Sequence, residues 1–203
     1  LESSFHGRTL ATLTATGQNK FHPECFAPYP EGFKTIKAND FESLENAFDD
    51  TCAALFMESI QGEGGVNLID KEWALAACEK ARKAGAIVMI DEVQTGIGRT
   101  GSFLYSDSLG LNAEVVTLAK GIAGGLPMGA CLFRGKAKDV FKAGDHQSTF
   151  AGNPLVCAAA EVVLETVNKN KFLQNVTEKG DYIRNTIKAW NFPFVKDVRG
   201  KGL

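Results

Sequence analysis

The chain has 203 residues, a formal net charge of −2, and hydrophobic residues at 44% of its positions. Its length is enough for one large hydrophobic core, or for one domain and part of another. Because the net charge is close to zero, no electrostatic argument favours nucleic acid or an anionic membrane surface as a partner. No apolar stretch approaches the roughly 20 residues of a membrane-spanning helix.

Apolar runs and amphipathic segments alternate along the chain, and each amphipathic segment has helical spacing. In chain order the predicted elements are a strand in 52–60, a helix over 70–85, strands in 86–91, 114–120 and 129–133, and helices over 153–167 and 171–190. The continuous apolar runs are typical of strands buried on both faces. The pattern therefore predicts an α/β fold with a mostly parallel sheet flanked by helices.

The cysteines are odd in number and widely scattered, and they include no CxxC pair; they are Cys25, Cys52, Cys78, Cys131 and Cys157. Four of them stand in apolar surroundings, which predicts buried thiols rather than disulfides or a zinc site. Reduced thiols in turn indicate a reducing compartment and predict a cytoplasmic protein. The three histidines have no metal-ligand spacing, so no metal site is expected.

Ionisable residues follow three of the apolar runs, and a glycine-rich turn follows each of them. Glu58 precedes "QGEGG", Asp91 precedes "QTGIGRTG", and Lys120 precedes "GIAGG". Ligands of parallel sheets bind beyond the carboxyl ends of the strands, and glycine allows a ligand to approach the backbone closely. Three such arrangements on one edge of the sheet predict a binding site there.

A lysine and an aspartate on the floor of one pocket suit pyridoxal phosphate. That cofactor needs a lysine amine to form a Schiff base and a carboxylate to hold its pyridine nitrogen. Each residue also has an ordinary interpretation, since Lys120 alone could be a surface lysine and Asp91 alone a helix cap. A nucleotide-binding module without covalent chemistry and a non-catalytic interaction piece also remain open, although "GIGRTG" matches no phosphate-loop motif in its usual context.

Longer motifs give the chain a family resemblance. The segments "MIDEVQTGIGRTG" and "TLAKGIAGGLPMGA" resemble the class III (ornithine-type, subgroup II) pyridoxal-phosphate aminotransferases. The segments "SFHGRT", "ESIQGEGGV" and "STFAGNPLVCAAA" resemble the same family in the same order. The resemblance implies the large domain of a fold type I transferase over 1–167 and the start of a small C-terminal domain over 168–203. The chain lacks a starting Met and stops at "VRGKGL", so a piece of a longer protein is expected.

The resemblance also implies roles for individual residues. Lys120 is expected to be the catalytic Schiff-base lysine. The residues expected to bind pyridoxal phosphate are Phe5, Asp91, Val93, Gln94, Lys120 and Thr149, with Thr149 acting across a subunit interface. Those expected to contact substrate are Arg8, Glu58 and Ser148, and a guanidinium fork fits a carboxylate well.

The implied activity is transfer of the terminal amino group of N-acetylornithine to 2-oxoglutarate, by a homodimer with shared active sites. Ornithine, succinylornithine and 4-aminobutyrate remain open as donors. Ser59, Gln147 and Ala151 depart from the residues usual in the family at positions beside the substrate and the phosphate, which leaves the choice of substrate open.

Overall fold

The computed structural model describes residues 1–169 and 171–203. The strands there are β1 (Ala54–Glu58), β2 (Ile60–Gln61), β3 (Asn67–Leu68), β4 (Ile87–Asp91), β5 (Val115–Leu118) and β6 (Ala130–Phe133). The α-helices are α1 (Leu10–Ala15), α2 (Phe41–Glu45), α3 (Lys71–Lys83), α4 (Tyr105–Leu109), α5 (Pro154–Val167) and α6 (Phe172–Ala189). Four strands form one sheet in the order β1-β4-β5-β6, and β2 pairs with β3 separately. The predicted α/β fold is confirmed.

Helix α3 forms much of the core and fits its sequence prediction closely. Asp70 is its N-cap and accepts a hydrogen bond from the backbone N–H of Glu72 at 2.9 Å. Gly85, just after the helix, has a φ of +87°, a left-handed conformation that glycine adopts without steric cost. Trp73 and Ala77 are fully buried in the same apolar cluster as Ile90 of β4. The amphipathic spacing therefore identified both the helix and the face that it buries.

The sheet is mixed at one edge. Strands β1, β4 and β5 run parallel, whereas β6 pairs antiparallel with β5. The expectation that β6 is buried on both faces is wrong, because Cys131 and Leu132 at its centre are exposed. β6 is the last strand of the described sheet, and no described strand pairs with its outer edge.

The two long helices near the end of the chain are confirmed. Asn153 caps α5 by accepting hydrogen bonds from the N–H groups of Leu155 and Val156. Helix α5 contacts the 3₁₀ turn Lys120–Ala123, and thereby supports the segment after β5. Helix α6 lies against the turn 98–101. Among the described residues, none of the helices combines the length and the apolar character that crossing a membrane requires.

The prediction of four buried cysteines is wrong. All five thiols are free, but only Cys78 is buried, and Cys52 is partly exposed. The remaining three, Cys25, Cys131 and Cys157, are exposed. Apolar neighbours in sequence did not indicate burial, because Cys131 lies on the outer strand and Cys157 on the open side of α5.

Candidate active site

The ends of three parallel strands place polar side chains in a row. Glu58 pairs in register with Asp91, and Asp91 pairs in register with Thr117. Residues in register on neighbouring strands project from the same face of a sheet. Lys120 follows Thr117 by three residues and begins the 3₁₀ turn after β5. The predicted convergence of Glu58, Asp91 and the Lys120 segment on one edge of the sheet is therefore confirmed.

Asp91 is buried and held in place by two hydrogen bonds. One carboxylate oxygen, Oδ1, accepts the backbone N–H of Val93 at 3.0 Å, and the other, Oδ2, lies 2.9 Å from His6 Nδ1. The His6 ring stacks on Phe56 of β1, with 3.9 Å between ring centroids. Burial lowers the pKa of the His6 imidazole, although its hydrogen bond to Asp91 acts in the opposite direction. Asp91 is thus fixed by a largely buried imidazole.

Sequence reasoning missed this role of His6. The sequence analysis assigned His6 no place in the site, and its partner Asp91 is 85 residues away in the chain. The available signal was the position of His6 directly after Phe5, a residue to which the family resemblance gives a site role.

Two buried polar atoms close to Asp91 have no hydrogen-bond partner among the described residues. They are Nε2 of His6 and Oγ1 of Thr117. Buried polar atoms are normally paired, because an unmet donor or acceptor costs about 1–3 kcal/mol. The face around Asp91 therefore suits a ligand that offers polar atoms. Among residues 1–169 and 171–203, no group of His, Cys, Asp or Glu is arranged to hold a metal ion.

Glu58 is used to organise the backbone. Its Oε2 accepts the N–H of Phe5 at 2.9 Å, and its Oε1 accepts the N–H of Gly62 at 3.2 Å. The residue is 2% exposed, and desolvation raises the pKa of its carboxyl to about 7, helped by the nearby charge of Asp91. Glu58 therefore positions the Phe5 segment and the turn after β2, and its contact with substrate stays a prediction.

The raised pKa of Glu58 predicts a pH-dependent stability. A folded-state pKa above the unfolded value of 4.5 means that Glu58 contributes stability below pH 4.5 and loses it as the pH rises through about 7. Between pH 4.5 and about pH 7, we expect the free energy of unfolding of the full-length wild type to fall by about 3 kcal/mol more than that of Glu58→Gln. Urea unfolding at a series of pH values measures the difference.

The control for this experiment is Glu161→Gln, which alters an exposed carboxylate on α5. That variant should follow the wild-type pH dependence. Parallel curves for the wild type and Glu58→Gln would contradict the raised pKa.

Strained backbone occurs after two of the strands that form this row. In the described part of the chain, the non-glycine residues with positive φ are three asparagines, which tolerate this conformation, and Ser3, Val66, Ile97 and Lys120. These last four have φ values of 50–61°. Ile97 lies in the turn after β4 and Lys120 in the turn after β5, whereas Val66 directly precedes β3 and Ser3 is near the start of the chain. The left-handed conformation costs roughly 1–2 kcal/mol per residue, and such strain clusters at functional sites.

The side chain of Lys120 is exposed. Although Lys120 follows an apolar run, no described segment buries it. His6 packs over the face of the sheet that holds Asp91. The strained backbone at Lys120 is therefore the structural feature that singles it out.

Phe5 and Arg8 lie together at the open side of the site. The guanidinium carbon of Arg8 is 5.4 Å from the centre of the Phe5 ring. Arg8 is exposed and forms no salt bridge with a described residue. Its cationic group thus remains available to an anion beside Phe5, whose backbone is tied to Glu58.

Val93 and Gln94 begin the turn after β4. Val93 contributes its backbone N–H to Asp91. The side-chain amide of Gln94 lies against Gly62, where an added Cβ atom would collide with it. This close approach joins the turn after β4 to the turn after β2.

Ser148 and Thr149 are not brought to this site by the described chain. They lie in an exposed segment before α5, and no hydrogen bond of either side chain is formed with a described residue. The next residue, Phe150, is 82% exposed.

Comparisons with known proteins identify the family to which this chain belongs. The model of the family "Aminotransferase class-III" matches residues 1–203, and the chain belongs to this family. Acetylornithine aminotransferase of Caldanaerobacter subterraneus subsp. tengcongensis is 46% identical over the whole chain, and that of Halalkalibacterium halodurans is 44% identical over 98% of it. The ornithine aminotransferase of Toxoplasma gondii superposes over the whole chain with a TM-score of 0.92 and 33% identity.

The chain spans about half the length of these relatives. It covers 51% and 52% of the two acetylornithine aminotransferases and 49% of the Toxoplasma gondii structure.

Proposed function

We propose that the full-length protein is a pyridoxal-phosphate-dependent aminotransferase that moves the terminal amino group of N-acetylornithine to 2-oxoglutarate. The observation that carries the proposal is the buried Asp91 carboxylate, fixed by His6 and Val93 on the face that leads to Lys120. The names of the two relatives at 46% and 44% identity support the substrate.

The residues present fit the proposed cofactor. The Asp91 carboxylate would contact the pyridine nitrogen, and the Lys120 amine would bond to the aldehyde carbon. Phe5 would cover the ring, beside Val93 and Gln94. The unpartnered Thr117 Oγ1 and His6 Nε2 favour a ligand with polar atoms on this face.

Each residue has a distinct chemical task. When bound, pyridoxal phosphate supplies a carbonyl carbon and a ring that withdraws electrons from the bond being broken. The amine of Lys120 accepts and returns a proton at Nζ, acting as general base and then as general acid. Asp91 would place its carboxylate against the ring nitrogen, and His6 fixes the orientation of that carboxylate. Arg8 binds a substrate carboxylate through its forked N–H donors.

Other amino donors of this family are the alternatives. Ornithine is favoured by the structural similarity to an ornithine aminotransferase, and succinylornithine and 4-aminobutyrate share a terminal amine. Ser59, Gln147 and Ala151 bear on this choice, and Ser59 is fully buried with an unpartnered hydroxyl among the described residues.

Steady-state assays of the full-length protein with these four donors and 2-oxoglutarate test the proposal. We expect the highest kcat/KM with N-acetylornithine, together with a visible absorbance band that borohydride removes. A higher kcat/KM with another donor would change the proposed substrate. Absence of both the absorbance band and all turnover would reject the proposed enzyme class.

We further propose that 1–167 belongs to the large domain and that 168–203 begins the small one. Helix α5 ends at Val167 and contacts the turn that starts at Lys120, which supports this division. The free thiols support a reducing compartment, so we propose a cytoplasmic location.

A homodimer with shared sites explains the exposed segment before α5. In this arrangement Ser148 contacts substrate, and Thr149 donates a hydrogen bond to the cofactor phosphate of the neighbouring subunit. A hydrogen bond to a charged group contributes roughly 1.5–3 kcal/mol, so Thr149→Ala should weaken cofactor binding about tenfold or more.

Mixed dimers test whether each active site uses residues from both subunits. A dimer of one Lys120→Ala and one Thr149→Ala subunit would contain one site with both lesions and one intact site. We expect it to recover up to half of the wild-type activity. No recovery above the two parent variants, in a mixture shown to exchange subunits, would place Thr149 in the site of its own chain.

A further inference from the structure

The aromatic ring of Phe21, to which the sequence analysis gave no role, packs against Arg8. The guanidinium carbon of Arg8 lies 4.4 Å from the centre of the Phe21 ring, closer than its 5.4 Å separation from Phe5. Phe21 also meets Phe5 edge to face, with 5.0 Å between the ring centres. The three side chains therefore pack on one another at the open side of the site.

The backbone on both sides of Phe21 is fastened to its surroundings. Phe21 ends a short 3₁₀ helix, and Gln18 before this helix donates its side-chain amide to the carbonyl of Ser4 at 3.2 Å. After the helix, His22 Nε2 lies 2.6 Å from the carbonyl oxygen of Leu13 in α1. The Phe21 ring is consequently presented to Arg8 by a segment tied at both ends.

We infer that Phe21 is a positioning residue for carboxylate recognition, because its ring fixes the Arg8 guanidinium without occupying the N–H donors. A ring face attracts a cation electrostatically, and all five donors of the guanidinium remain available for hydrogen bonds. An acidic side chain in the same place would compete with the substrate carboxylate. This inference rests on the proposed role of Arg8 in binding that carboxylate.

Binding of glutarate to the full-length protein loaded with pyridoxal phosphate tests the inference without turnover. Glutarate carries two carboxylates and has no amino or oxo group, so isothermal titration calorimetry measures recognition alone. A cation–π contact at an exposed site corresponds to about a two- to fivefold effect on affinity. We expect Phe21→Leu to weaken glutarate binding by this factor, and Phe21→Tyr, which keeps the ring, to bind as the wild type does. In assays, Phe21→Leu should raise KM for 2-oxoglutarate by the same factor with kcat unchanged.

Two control variants separate this effect from a general loss of packing. Phe26→Leu removes another ring of the same region, which is 53% exposed and forms no cation–π contact among the described residues. Lys20→Met removes the second cation near Phe21, whose Nζ lies 4.8 Å from the ring centre. Both variants should bind glutarate with wild-type affinity. If Lys20→Met weakened glutarate binding as much as Phe21→Leu, the ring would act through Lys20 and the inference would be wrong.

The double variant distinguishes failure of the inference from failure of the proposed site. Arg8→Gln should weaken glutarate binding about tenfold or more, and adding Phe21→Leu should then have no further effect. Two outcomes would overturn the role of Phe21 but leave that of Arg8 intact. In the first, Arg8→Gln weakens glutarate binding strongly and Phe21→Leu does not weaken it. In the second, Phe21→Leu weakens glutarate binding equally in the wild type and in Arg8→Gln. If Arg8→Gln left the affinity unchanged, the proposed carboxylate site would fail, and the inference with it.

Discussion

Replacing Lys120 with alanine is expected to abolish transamination by the full-length protein. The variant loses the amine that would bind the cofactor covalently, and alanine offers no substitute nucleophile. Loss of its proton transfer alone would lower kcat by about 10²- to 10⁴-fold. The fold should survive, because the Lys120 side chain is exposed and forms no hydrogen bond with a described residue. Single-turnover assays and circular dichroism measure the two effects.

A second exposed lysine provides the control. Lys136 lies in the 3₁₀ turn Gly135–Ala137, beyond β6, and Lys136→Ala should retain wild-type activity. If Lys120→Ala turned over at the wild-type rate, Lys120 would not be the catalytic lysine.

Replacing Asp91 with asparagine is expected to give the second largest loss. The substitution preserves the shape of the side chain and an oxygen that accepts the N–H of Val93, but it removes the charge. Breaking one buried charge pair costs about 3–5 kcal/mol, which corresponds to about two to four orders of magnitude in kcat. Cofactor should still bind through Lys120, so the defect should appear in kcat while the visible absorbance band persists.

The matched control is Asp107→Asn, which alters a half-exposed carboxylate paired with Arg134 on the surface. This variant should be close to wild type, since exposed ion pairs contribute little. An unchanged kcat in Asp91→Asn would mean that Asp91 does not contact the cofactor ring.

The parts of the fold that were predicted from the sequence are those with a strong periodic signal. Helix α3 has an amphipathic pattern, an aspartate cap and a glycine stop, and all three agree on its limits. The apolar runs identified β1, β4 and β5, whose carboxyl ends brought Glu58 and Asp91 side by side. Local propensity, pattern and capping pointed to the same structure in these segments.

Other features depend on contacts that sequence spacing does not reveal. The hydrogen bond between His6 and Asp91 joins residues 85 positions apart, so no local pattern could predict it. The exposure of β6 follows from its position in the strand order, because the same apolar sequence would suit an interior strand. The left-handed backbone of Val66 and Ile97 contradicts the preference of β-branched residues, and only tertiary structure can impose it.

The most direct test of the proposed function locates the cofactor on the chain. The full-length protein is loaded with pyridoxal phosphate, reduced with borohydride, digested, and analysed by peptide mass spectrometry. We expect a single pyridoxyl-phosphate adduct, on Lys120. A stoichiometric adduct on another lysine, or a visible band that borohydride removes without labelling Lys120, would contradict it.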